Sequence, residues 1–170
     1  MLNIQQTQKV LDRFKLHVVK EAKKNLTNKQ KNASKGLYNS IKGEVKASPN
    51  SIQLEFMMQQ YGTFQDKGVS GKQKKYNTPF SYKSKMPPSQ PFEKWAKQKG
   101  IVPRSKDGRF ISYKSLGFLI SRSIFRKGIK PSLFFTKPFE AAFNNLPEET
   151  IKAFALDVED LLNKTTLLKN

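Results

Sequence analysis

The sequence predicts an α+β fold: a small antiparallel sheet built on a long β-hairpin, packed with an N-terminal helix and several C-terminal helices. Three observations predict it. Apolar and polar residues alternate on both sides of Pro49-Asn50, the period of a strand pair with one buried face. Ahead of that pair, apolar residues recur at helical spacing. Beyond it, serine, proline and glycine punctuate the chain at distances that bracket helices.

The first helix is expected over residues 4–31, where Val10, Leu11, Phe14, Val18 and Ala22 share one face and lysines fill the other. "TNKQKNASKG" ends it, with Gly36 as the stop. In the hairpin, Ile41, Gly43, Val45 and Ala47 precede the turn residues "SPNS", and Ile52, Leu54, Phe56 and Met58 follow them. Residues 62–90 lack sustained periodicity and are rich in Gly, Ser, Lys and Pro, which predicts a long basic loop that is functional or ordered by a partner. A short helix follows, with Ser89 as N-cap, Pro91 in its first turn, Gly100 just past its end, and Phe92 and Trp95 as anchors. "SYKSLGFLISRSIFRKG" is the next helix. Leu116, Leu119, Ile120 and Ile124 form its stripe, and Gly128 ends it in a left-handed conformation. Arg122, Arg126 and Lys127 occupy its later turns, where the helix dipole favours cations. Pro131 and Pro138 make "IKPSLFFTK" an extended corner in which Phe134 and Phe135 point to opposite sides. One of the two rings enters the core; the other needs another element or another chain. Pro138 opens a further helical run and Pro147 the last one, with Ile151, Phe154, Val158, Leu161 and Leu162 on one side and a tail at 164–170. The whole, residues 1–170, is expected as a single domain.

The formal charge is +19, unevenly spread: residues 67–137 hold 18 Lys/Arg against 2 Asp/Glu, residues 138–170 only 3 against 6. Such charge attracts polyanions or acidic protein surfaces without specifying a fold. With no cysteine there are no disulfides or thiolate metal sites, and His17, the one histidine, has no second histidine to join it as a ligand. No targeting segment and no apolar run long enough to span a bilayer is visible, so a soluble protein without membrane contact is expected.

Chemistry finds little footing. "GVSGKQ", Gly68 to Gln73, superficially resembles a phosphate-binding loop, but only two residues separate its glycines and Gln follows the Lys; a flexible loop is the expectation. Glu44, Glu55 and Asp66, with Lys67, imitate a metal-dependent nuclease set, yet the two glutamates fall on outward strand positions. No nucleophile elbow is present, and neither an enzyme nor a cofactor or metal is expected. The basic middle segment interleaves Tyr76, Phe80, Tyr82, Phe92, Trp95, Phe110 and Tyr113 with lysines, the pattern a single-strand nucleic-acid binder uses; the competing reading makes the rings core and the lysines a solvated face.

The ordered series "YGTFQDKGVSG", "TPFSYKSKMPP", a helix carrying Trp95 and ending in "KGI", and "FLISRSIFRKGIKPSLFFTKPFEAAF" resembles the neck and tail-completion (head–tail joining) proteins of tailed bacteriophages. The family's glycine-isoleucine-proline corner with two phenylalanines is matched by Gly128, Ile129, Pro131, Phe134 and Phe135, and the resemblance covers roughly residues 1–160. It implies a non-enzymatic virion component, an oligomeric ring, commonly six-fold, at the portal–tail junction. Its partners would be copies of itself, the portal or adaptor and tail proteins, with non-specific DNA contact in the ring lumen. The expected location is the virion neck, and the host cytoplasm during assembly. Segments 62–90 and 128–138 are then expected to join subunits, through Tyr76, Phe80, Tyr82, Arg122, Arg126, Lys130, Phe134 and Phe135. The alternative is a basic nucleic-acid-binding protein.

Overall fold

The computed structural model describes residues 4–29, 35–48 and 51–167, with side chains to residue 163. The expected turn at Pro49-Asn50 and the last three residues of the expected tail lie outside the described residues. Those residues hold seven helices and one two-stranded antiparallel sheet, an α+β arrangement: α1 (Gln5–Asn28), α2 (Gly36–Ser40), β1 (Lys42–Ser48), β2 (Ser51–Met57), α3 (Tyr61–Lys67), α4 (Gln90–Gln98), α5 (Tyr113–Lys127), α6 (Thr136–Phe143) and α7 (Leu146–Leu167). They pack as two compact units, each assembled from separate stretches of chain. Unit 1 comprises Met1–Leu26, Asn39–Met58 and Phe134–Asn170; unit 2 comprises Thr27–Tyr38 and Gln59–Leu133.

Unit 1 is held by apolar side chains. Val10, Leu11, Phe14, Val18, Ala22 and Leu26 of α1 are buried, as the 3.6-residue period requires. Around Phe14, rings from three other stretches meet edge to face: Phe56 of β2 at 6.2 Å and Phe139 of α6 at 5.6 Å, with Phe135 at 5.3 Å from Phe56. The hairpin pairs Lys42↔Met57 through Ser48↔Ser51, so Gly43, Val45 and Ala47 face Phe56, Leu54 and Ile52 on one side. That face is the expected one, but it is half-covered at best, and Ile41, just before β1, is the residue that is fully buried. On the other side Glu44 stands directly opposite Glu55, and Lys46 binds both, at 3.7 and 2.8 Å. The hydrogen bond to Glu55 and the charges of both glutamates raise the Lys46 pKa.

The orientation of α7 departs from its apolar pattern. Ala153 and Asp157, four apart, face inward, while Ile151 (70 % exposed), Phe154 (47 %), Leu156 and Leu162 face solvent. The reason is a cap. The first turn of α1 has no acidic residue of its own. Asp157 supplies the carboxylate, accepting the backbone N–H of Gln6 and of Thr7 at 2.9 Å and the Thr7 hydroxyl at 2.8 Å. Burial pushes this carboxyl up, but those three donors and the Lys9 charge outweigh it, and its pKa lies below the ordinary value.

Unit 2 is held by backbone. Val69 and Ile129 exchange N–H···O bonds of 2.9 and 2.8 Å in an antiparallel bridge. Gly71 and Gly128 let the two strands of chain cross: a Cβ on Gly128 would lie 2.2 Å from the Val69 carbonyl oxygen, and one on Gly71 2.3 Å from that of Arg126. Gly128 ends α5, as expected, and its φ is +75°, but its ψ of −171° makes it extended instead of left-handed helical. α4 and α5 pack together at buried small residues, Ala96 on α4 and Gly117 and Ser121 on α5; Gly117 lies against Glu93 and the Ser89 carbonyl, and the Ser121 hydroxyl donates to the Pro87 carbonyl.

Residues 62–90 are not all loop, since 62–67 belong to α3. Gly36 opens α2 instead of stopping α1, and Lys35 takes the positive φ of 54°. Ser89 precedes α4 but its hydroxyl faces Glu93 and caps no backbone N–H. Trp95 does not anchor α4, being 39 % exposed; Ala96 does. In α5 the tightest face is Gly117 and Ser121, and Leu119 turns outward. In α7, Ile151, Phe154 and Leu162 of the one-sided stripe are exposed, while Val158 and Leu161 are half-buried.

Candidate interaction surface

Ser70 organises the segment that precedes α4. Its N–H donates to the Phe80 carbonyl at 2.8 Å, its carbonyl accepts from Tyr82 N–H at 2.9 Å, and its hydroxyl accepts from Tyr76 N–H at 3.0 Å. Gly68, Val69, Ser70 and Gly71 are all buried. The expected flexible loop is therefore a fixed spine, ordered by its own unit. Its resemblance to a phosphate loop ends there too. Lys72 and Gln73 N–H groups donate to the Phe125 and Arg126 carbonyls at 2.9 and 2.8 Å, satisfying the otherwise orphan C-terminal end of α5. The donors a phosphate would need are already used.

This spine places the expected interface residues as follows. Phe80 is half-buried, its ring 4.8 Å from Phe64. Tyr82 is half-buried against Phe125 at 6.3 Å, and burial raises its phenol pKa. Tyr76 is half-buried with Lys74 Nζ 5.6 Å from its ring centre. Arg122, Arg126 and Lys130 are exposed. Phe134 and Phe135 do not lie in an extended corner: they form a turn leading into α6, and both belong to unit 1. Phe134 is fully buried and its carbonyl accepts from Asn25; Phe135 is half-buried against Phe56 and Phe139. Neither ring points away from its unit. Phe134 is a core residue and presents nothing to a partner.

The structure separates charge by unit. Unit 2 carries 20 Lys/Arg against 3 Asp/Glu, a net +17, and unit 1 carries 12 against 10, a net +2. Lys67, Lys72, Lys74, Lys75, Lys83 and Lys85 are exposed and form no ion pair with a described residue; the same holds for Arg122, Arg126 and Lys130. Large apolar side chains accompany them at the surface of unit 2: Phe110 is 70 % exposed, Phe118 50 %, Leu119 49 %. Phe110 tops a tight loop in which the Arg104 guanidinium lies 4.2 Å over its ring.

Outward Phe118, Ile151 and Phe154 were not singled out as surface from sequence, because periodicity alone cannot tell a face that packs inward from one left open. The readable signal was Ala153 and Asp157, a competing inward pair in α7, together with the lack of an acidic residue in the first turn of α1.

Catalytic geometry is not assembled around the carboxylates. Glu44 and Glu55 are tied to Lys46, while Asp66 is buried in unit 2, its carbonyl accepting from Ser132 and Leu133 N–H. Among the described residues no group of three or more His, Asp or Glu is placed to hold a metal, and no helix is long and apolar enough to cross a membrane. His17 is exposed on α1. An open groove of about 800 Å³ runs in unit 1 between α1 and α7 over Val10, Leu16, Ala153 and Leu156. No family model, no curated protein and no solved structure matches the chain.

Proposed function

We propose that this chain is a structural virion protein of a tailed bacteriophage, a neck or tail-completion component that forms a ring at the head–tail junction and performs no chemistry. The observation that carries the reading is the amount of large apolar surface left uncovered: Phe110, Phe118 and Leu119 in unit 2, and Ile151 and Phe154 in unit 1. Open apolar surface of this kind, rimmed by charge, is what partner chains cover. The expected partners are further copies, the portal or adaptor, and tail proteins; the sequence resemblance supplies that identity. Two of the residues first expected at the interface leave it, since Phe134 is core and Phe135 packs within unit 1. The test is to look for the chain in purified particles and to remove its gene. Filled heads and free tails that fail to join are the expected outcome; normal joined particles without the chain end the reading.

The net +17 of unit 2 favours a second reading, a nucleic-acid-binding protein acting through counterion release. Weak, salt-labile DNA binding follows from charge alone. Sub-micromolar binding at physiological salt, lost when Lys72, Lys74 and Lys75 are changed to Gln, would favour this second reading.

A further inference from the structure

We infer that α7 of one copy docks on α5 of another, in a head-to-tail contact between two different faces of the same chain. This deepens the proposed structural role and rests on its self-assembly. The outward face of α7 carries Ile151, Phe154, Ala155 and Val158, recurring at three- and four-residue steps, with Glu148 and Glu159 along one flank. Ile151 and Phe154 are 70 % and 47 % exposed. The outward face of α5 carries Phe118 and Leu119 with Arg122 and Arg126, one and two turns further on. The α7 face is an apolar strip beside carboxylates, while on α5 Phe118 and Leu119 flank the two arginines, so the charges of the two faces are of opposite sign.

Charge decides which face meets which. An α7–α7 contact would bring Glu148 and Glu159 against their own copies. An α5–α5 contact would set Arg122 and Arg126 against theirs. Like charges facing each other disfavour both symmetric arrangements, whereas α7 on α5 sets an acidic flank against a basic face. Glu159, Arg122 and Arg126 form no ion pair with a described residue of their own chain, so the contact breaks none of those pairings. Glu148 is held only by Lys152 across an exposed helical turn, a weak link. The apolar strips supply the affinity and the charges the orientation. A contact between unlike faces leaves one of each unused at the ends, so it closes into a ring or continues as a filament.

The experiment uses the full chain and two surface variants. One changes Ile151→Ser and Phe154→Ser, the other Leu119→Ser and Arg122→Glu. Sedimentation velocity is expected to show the wild type as a species larger than a monomer and each variant alone as a monomer. Each variant should lose at least about tenfold in association. Mixed together, the two variants retain one intact α5 and one intact α7 between them and should form a one-to-one dimer that grows no further. Matching thermal melts by circular dichroism establish that both fold. Arg126→Glu, a change of charge alone, should weaken association in the same direction. A monomeric wild type, variants that assemble normally, or a mixture that stays monomeric each overturn the inference. Normal particles built with a monomeric α5 variant remove this contact and leave the virion role standing. Head-to-tail oligomers of a chain absent from particles do the opposite.

Discussion

Unit 1, with a net charge of +2, pairs some of its lysines with carboxylates, at Lys15–Asp12, Lys24–Glu21, Lys46–Glu55 and Lys152–Glu148, and has a cluster of phenylalanine rings. Unit 2, at +17, has no ion pair among its described lysines and arginines and is held at its centre where the backbone crosses at Gly71 and Gly128. The difference teaches where the chain's charge resides. A unit with an apolar core can carry both signs around it. A unit that repels itself must be fixed by directed bonds of short range, and it gains most from whatever anionic surface neutralises it.

The comparison breaks most visibly at its two centres. Phe134→Ala removes a side chain with no exposed area from unit 1 and is expected to cost about 4 kcal/mol, the usual cost of a truncated core phenylalanine. Denaturant unfolding checks it; a loss near zero would place Phe134 outside any core. In unit 2 the matching change is the addition of one methyl. Gly128→Ala forces a Cβ toward the Val69 carbonyl oxygen and the Gly71 nitrogen, 2.2 and 2.6 Å away, at a φ of +75°. Overpacking and backbone strain together are expected to cost about 3 kcal/mol. Hydrogen exchange should show the Val69 and Ile129 amides losing protection in this variant before the α1 amides do.

The next largest effect sharpens the contrast in how each unit handles charge. Asp157→Ala strips three hydrogen bonds from the start of α1 and is expected to cost about 2 kcal/mol. The pH dependence has a definite sign. The folded pKa of Asp157 lies below its unfolded value of about 3.9, so the contribution is complete above that value and is lost as pH falls through the folded pKa. Wild type should therefore lose more stability than Asp157→Asn between mildly acidic and strongly acidic solution. Parallel stability curves for the two proteins would mean the carboxylate is not the cap.

Elements with a strong local period were legible. The five apolar residues assigned to the α1 stripe are all buried, and the hairpin faces are as the alternation required. What escaped the sequence depends on pairings distant along the chain. The Val69↔Ile129 bridge joins residues 60 apart, so Gly71 read as loop, although it is buried where backbones cross. Asp157 caps a helix 150 residues earlier, and that one carboxylate turns α7 so that Ile151 and Phe154 face out. For the surface, the positions of Arg122, Arg126 and Lys130 were legible because cations on a helix or a loop stay in water. Phe134 and Phe135 were misplaced because Pro131 and Pro138 were read as enforcing an extended corner, whereas the chain turns into α6 before Pro138.

The smallest effect tests whether pairing in unit 1 stabilises it at all. Lys46 sits between Glu44 and Glu55, which oppose each other across the hairpin, and its raised pKa records the attraction of both. The site lies at the surface, so water and salt screen that attraction, and holding a long side chain in one place costs entropy. Lys46→Gln removes the bridge and leaves two like charges face to face, the one arrangement on this strand pair that local rules penalise. At low salt the variant should melt slightly below wild type, and at high salt the two should coincide. A gap that persists in high salt would show that Lys46 acts through its aliphatic stem and not through charge. The paired charges of unit 1 would then be incidental to its stability, and its difference from unit 2 would rest on the phenylalanine cluster alone.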